Sequence, residues 1–141
     1  MKMYMILLAI AMLLILLTGE SFGDSMSHLD SAIERGETNL MIAVNSDNYG
    51  LRASAVQILG ELQCDNAVIP LMRILHTSID ENMRILAAHS LYKIQSPMGM
   101  FAVKQAIRFD KSDRVRKMCN NFYYDAIRSQ VAAARPGTRL R

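Results

Sequence analysis

The chain has no tryptophan, two cysteines, three prolines and seven glycines in 141 residues, with 6% aromatics. Two cysteines cannot form a disulfide framework. So little proline and glycine excludes a collagen-like or low-complexity chain, and the length fits one small domain. HExxH, CxxC, GxSxG and GxxxxGK patterns are all missing, which removes the commonest metal, redox, hydrolase and phosphate-loop signatures. The three histidines, His28, His76 and His89, are scattered and have no partner motif. No catalytic residue, metal ligand or cofactor is expected. No segment alternates apolar and polar residues with a period of two, so strands are not expected either.

At the N-terminus, Met3 to Leu17 is apolar and uncharged, preceded by Lys2 and followed by small residues at Ser21 and Gly23. This is the pattern of a secretory signal, residues 1–23, with cleavage after Gly23. The rival reading, an uncleaved anchor, asks for about 20 apolar residues, and the run ends short of that. No Lys or Arg follows before Arg35, so the remainder is expected outside the cytoplasm, periplasmic or secreted. Membrane attachment is expected only if the N-terminal segment stays uncleaved.

Charge is uneven along the rest. Residues 24–92 hold nine acidic and four basic side chains, whereas residues 93–141 hold three acidic and eleven basic. Such asymmetry is what an interaction surface produces, and also what a solvated face with a basic tail produces.

The chain also repeats itself. Leu51-Arg52, Met83-Arg84 and Val115-Arg116 recur at one constant interval, the step from Arg52 to Arg84 being equal to that from Arg84 to Arg116. Three residues after each Arg stands a small side chain (Ala55, Ala87, Cys119), and seven after it a large one (Leu59, Leu91, Tyr123). Ten after it come Leu62, Ile94 and Ala126. These intervals share one helical face. Short breaks at Gln63-Cys64-Asp65 and Gln95-Ser96-Pro97 lead into second helices, in which Val68, Leu71 and Leu75 align with Met100, Val103 and Ile107. Helix, turn, helix at a fixed period is the signature of a stacked helical array.

The segments Leu51 to Gly60 with Asn66 to Leu71, and Met83 to Leu91, resemble HEAT repeats, in particular the short form of phycobilisome lyase HEAT-like proteins. The resemblance runs from about residue 46 to 127. It implies an all-α fold: a short right-handed α-solenoid over residues 24–134, about three repeats with a C-terminal capping helix, and a basic tail at 135–141. On function it implies little, because such families include scaffolds, adaptors and a few enzymes. HEAT-like hydroxylases bind iron through paired His-Glu dipeptides, which this chain lacks. No functional residue of the lyases can be matched.

The ends depart from the pattern. The leading unit is truncated, with Met26, Leu29 and Ile33 as an apolar stripe and Leu40, Met41 and Val44 as a short second one. In the last helix Asn120 replaces the Val56 and Ala88 of the earlier units, as suits a face with nothing stacked on it. That helix is expected to close the core with Val115, Met118, Cys119, Phe122 and Ala126.

Two sets of side chains are candidates for function. Asp47, Asp80 and Asp113 precede Arg52, Arg84 and Arg116. These six read as a structural ladder, each Asp capping a helix and each Arg pairing with a neighbouring repeat's Asp. Arg73, His76, Lys104, Gln105 and Arg108 remain on the second helices once the core positions are removed, interleaved with Ile69, Met72 and Phe101. Second helices line the concave face of HEAT-like stacks, so this stripe suits a protein partner, in particular an acidic segment. Nucleic acid could suit the same mixture, but export argues against it. The resulting expectation is an exported, non-catalytic interaction module. The alternative is a lyase-like accessory subunit holding a small ligand in the groove. Cys64 and Cys119 fall too far apart in a repeat stack for a disulfide, with Cys64 the more accessible and His89 facing solvent beside the aligned Gln57 and Asn121.

Overall fold

The computed structural model describes residues 34–134. The expected signal segment, the stripe of Met26, Leu29 and Ile33, His28 and the basic tail lie outside the described residues. Two compact units divide the chain at Thr38 and Asn39. In the first, residues 34–38 are helical, and the Thr38 hydroxyl donates to the Glu34 carbonyl at 2.9 Å. The second opens on helical residues 39–43. It continues through α1 (Tyr49–Glu61), a 3-10 turn (Asp65–Ala67), α2 (Val68–Thr77), α3 (Glu81–Ile94), α4 (Pro97–Phe109) and α5 (Asp113–Ala133). Among the described residues there is no strand.

Each helix of the first layer starts where a short polar side chain can accept from its free N–H groups. Asn48 accepts from the Leu51 amide at 3.0 Å, Asp80 from Asn82 at 3.1 Å and Met83 at 3.2 Å, and Ser112 from Val115 at 3.3 Å. These three caps stand one repeat period apart, in the same register as the arginines. Asp47 and Asp113 are therefore not caps, contrary to expectation. Asp47 lies one residue ahead of the cap, and Asp113 is the first helical residue, paired with Arg116 on its own helix. Ser96 caps α4 ahead of Pro97, whose missing N–H costs nothing in a first turn. The chain leaves α1 and α3 through Gln63 and Gln95, equivalent positions of successive repeats, both left-handed at φ 52° and 59°.

First helices α1, α3 and α5 pack in succession, and second helices α2 and α4 pack beside each other. Helix α3 touches all four others; its fully buried residues lie on one side, and of the rest only Glu81 and Asn82 are exposed. The aligned small positions Ala55, Ala87 and Cys119 are at most 1% exposed, and Leu59 and Leu91 are fully buried. Leu62 departs from expectation at 62% exposure, while its counterparts Ile94 and Ala126 are buried. Leu51 and Ile58 are likewise exposed, though their counterparts Met83 and Ser90 are buried. The Ser90 position stacks on the previous repeat's first helix, where its hydroxyl donates to the Val56 carbonyl at 2.9 Å.

Candidate functional site

The candidate surface is built by α2 and α4. Helix α2 turns Val68, Leu71 and Leu75 into the core, and α4 does the same with Ala102, Val103 and Ala106. What stays outside on α2 is Ile69, Arg73 and His76, and on α4 Phe101, Lys104 and Arg108. Neither helix contains a carboxylate. Gln105 and Met72 are half-buried, and Met72 packs against the core. The Lys104 ammonium lies 5.7 Å from the Tyr123 ring centre, and the Arg108 guanidinium lies 5.8 Å from that of Phe109. Both are cation–π distances, which hold long side chains near apolar surface.

Between the C-terminal ends of these helices lies a groove of about 440 Å³. Of the five stripe residues, His76 and Gln105 line it; Arg73, Lys104 and Arg108 lie outside. Phe109 and Lys111 also line it. Sequence reasoning missed both, although an aromatic followed by an acid and a lysine at a helix end was visible. The groove's one carboxylate, Asp110, is engaged. The Arg84 guanidinium donates Nε–H to Asp110 Oδ2 at 2.9 Å and Nη2–H to Oδ1 at 3.0 Å, and the Ser112 amide donates to Oδ1 at 2.8 Å. With side chains 2% and 7% exposed, this bidentate pair belongs to the strong class of charge-assisted bonds. Lys111 beside Phe109, over a neutralised floor, suits an anionic group next to an apolar one.

The arginine ladder differs from the expected one. Arg52, Arg84 and Arg116 each donate Nη1–H to the carbonyl six residues earlier, Ser46, Ser78 and Asp110, at 3.5, 2.9 and 2.7 Å. Each therefore ties its helix to the preceding loop. Among the described residues, Arg84 alone of the three pairs with a carboxylate across the fold, and that carboxylate is Asp110, not one of the three expected aspartates. The equivalent of Asp110 one repeat earlier is Ser78, and the Nε of Arg52 is buried with no partner among the described residues.

His89 does not face solvent as expected. It is half-buried, with its ring centre 5.3 Å from Phe122 and 6.1 Å from Tyr92. Cys64 is 9% exposed instead of accessible, and Cys119 is fully buried. Burial pushes the Cys119 thiol up to about 12. Among the described residues no group of three or more His, Cys, Asp or Glu is placed to hold a metal ion. No described helix is long and apolar enough to cross a membrane.

A family model described as HEAT repeats matches residues 37–120. No curated protein and no solved structure matches the chain. The matched span takes in α1 to α4 and the start of α5, with the repeated caps, the repeated arginines and the two-layer packing. With fold and match in agreement, the chain belongs to the HEAT repeat family.

Proposed function

We propose that this chain is an exported, non-catalytic interaction module that grips an acidic segment of a partner protein on the outer face of α2 and α4, the concave side of the stack. HEAT repeats commonly serve as protein–protein interaction scaffolds, and a protein partner follows from the family. The observation that carries the finer reading is the charge of the second helices. They hold Arg73, Lys104 and Arg108 with no Asp or Glu, and Ile69, Phe101 and Phe109 are exposed among them at 54%, 58% and 74%. Apolar side chains supply buried area on binding, and one-signed charge supplies orientation and rejects basic partners. Export rests on the signal pattern of residues 1–23.

The test is titration of the purified chain with a labelled peptide of alternating glutamate and leucine, and with its lysine–leucine counterpart. The acidic peptide should bind, weaken as salt rises, and lose at least about tenfold with Arg73→Glu and Arg108→Glu together. Equal binding of both peptides, or no loss in the double reversal, removes this reading of the face. The N-terminal mass of protein recovered from cells tests export separately, and a start at Asp24 is expected.

A further inference from the structure

We propose that the hollow between α3 and α5 is a saccharide-binding site, independent of the α2–α4 face. Its origin is a change of side-chain size at one register position. Between α1 and α3 the close pair is Gly60 with Ser90, where a Cβ on residue 60 would fall 2.7 Å from the Ser90 backbone. One period later the same two positions are Tyr92 and Phe122, whose rings stack with centres 5.7 Å apart and planes inclined by 21°. Two rings need far more room than hydrogen against a hydroxymethyl group. The hollow beside them has a volume of about 590 Å³.

Its polar lining has a particular chemistry. Asn120, Asn121 and Arg128 line the hollow, and none of their side chains makes a hydrogen bond within the described residues. Each amide offers two donors and an acceptor, and the guanidinium adds further donors. Asp125 accepts from the Tyr92 hydroxyl at 2.6 Å, which holds one carboxylate oxygen in place and leaves acceptor capacity on the other. The formal charges of Asp125 and Arg128 cancel, so the lining selects for neither an anion nor a cation. It selects for a neutral ligand with an apolar face for the rings and an edge of groups that donate and accept together. A pyranose ring has both, C–H bonds on its faces and hydroxyls around its rim. An aromatic side chain of a partner has the face but no such rim, and would leave the amides without partners, a costly outcome in a closed contact. A last helix needs polar groups on its outer side, but that need does not place the stacked rings of Tyr92 and Phe122 beside them.

The test is a titration of the full chain, labelled with ¹⁵N, with the neutral sugars maltotriose, the N-acetylglucosamine trimer and mannotriose. At least one should shift the side-chain amides of Asn120 and Asn121 at millimolar concentration. Asn121→Ala with Arg128→Ala, both exposed, should weaken that probe at least about tenfold while the melting temperature stays put. Tyr92→Phe, which frees Asp125, should weaken it less. The proposal fails if no probe moves these resonances at about 20 mM. It also fails if the shifts fall on α2 and α4, if the double variant binds as well as the parent, or if free tryptophan displaces the sugar at equal concentration.

Discussion

Gly60 and Ser90 set the distance between the first two repeats. The Ser90 hydroxyl, buried between α1 and α3, donates to the Val56 carbonyl at 2.9 Å. That bond needs the helices close, and they are close only because residue 60 has no side chain: a Cβ there would meet the Cα, Cβ and Oγ of Ser90 at 2.7 Å. Backbone atoms cannot give way as a flexible tip would.

Gly60→Ala is therefore expected to destabilise, although alanine is the better helix former by about 1 kcal/mol. Overpacking of this kind typically costs about 1–3 kcal/mol before that gain is counted. Thermal melts followed by circular dichroism check the sign. Ser90→Ala should cost less, about 1 kcal/mol for one hydrogen bond, and Gly60→Ala in that background should cost less than in the parent.

Arg84 and Asp110 form the buried pair beneath the groove. Removing one partner of such a pair costs about 3–5 kcal/mol, because the other charge is left uncompensated. Asp110→Ala is expected to lower the unfolding free energy by that amount, read from urea denaturation. Arg84→Met with Asp110→Leu should recover a large part of the loss, since no charge remains buried. A double variant no better than the single one would show that the pair contributes through the loop carbonyls of Ser78 and Ile79, which also accept from Arg84 at 2.9 and 3.0 Å.

Ser78 is where the pattern lacks an acid. It stands in the Asp110 register position, and Arg52 Nε has no hydrogen-bond partner among the described residues. Ser78→Asp is expected to stabilise by about 1 kcal/mol, with a gain that vanishes in an Arg52→Gln background. A gain that survives without Arg52 would assign the effect to general surface charge.

Phe122 and Tyr124 should respond differently to truncation. Phe122 is half-buried against His89 and Tyr92 and packs on the core, whereas Tyr124 is 56% exposed. Phe122→Ala is expected to cost about 2 kcal/mol, less than the roughly 3–5 of a fully buried ring, and Tyr124→Ala under about 0.5 kcal/mol. Urea midpoints of the two variants give the comparison.

Cys119 links stability to alkaline pH. Its thiol is raised from 9.0 to about 12 by burial. Above the unfolded value the unfolded chain loses this proton and the folded chain keeps it. Stability contributed by the neutral thiol is therefore present below pH 9.0 and is lost as pH climbs toward 12, with a limiting slope of about 1.4 kcal/mol per pH unit. Cys119→Ala should flatten the alkaline limb of the stability profile. In the native protein this thiol should resist alkylating reagents at mildly alkaline pH and react only on unfolding.

The constant repeat period, the helical hairpins and the small core positions could be read directly from the chain. They are local, periodic properties: a helix face is set by intervals of three, four and seven, and each repeat restates it. The exposure of Arg73, His76, Lys104 and Arg108 was legible for the same reason, since removing the core face of an amphipathic helix leaves its surface, whereas Gln105 is half-buried. Partners across the fold were not legible. Whether Asn48 or Asp47 caps α1 turns on one residue of backbone register. That Arg84 meets Asp110, 26 residues on, depends on how the end of α4 folds over the start of α3. His89 shares its register with two exposed residues, and it is covered only because Tyr92 and Phe122 stand next to it. Leu51 and Leu62 are apolar like their counterparts Met83 and Ile94, yet they are exposed where those two are buried. Sequence periodicity determines which face of each helix is apolar; only the packing of one helix on the next decides what that face meets.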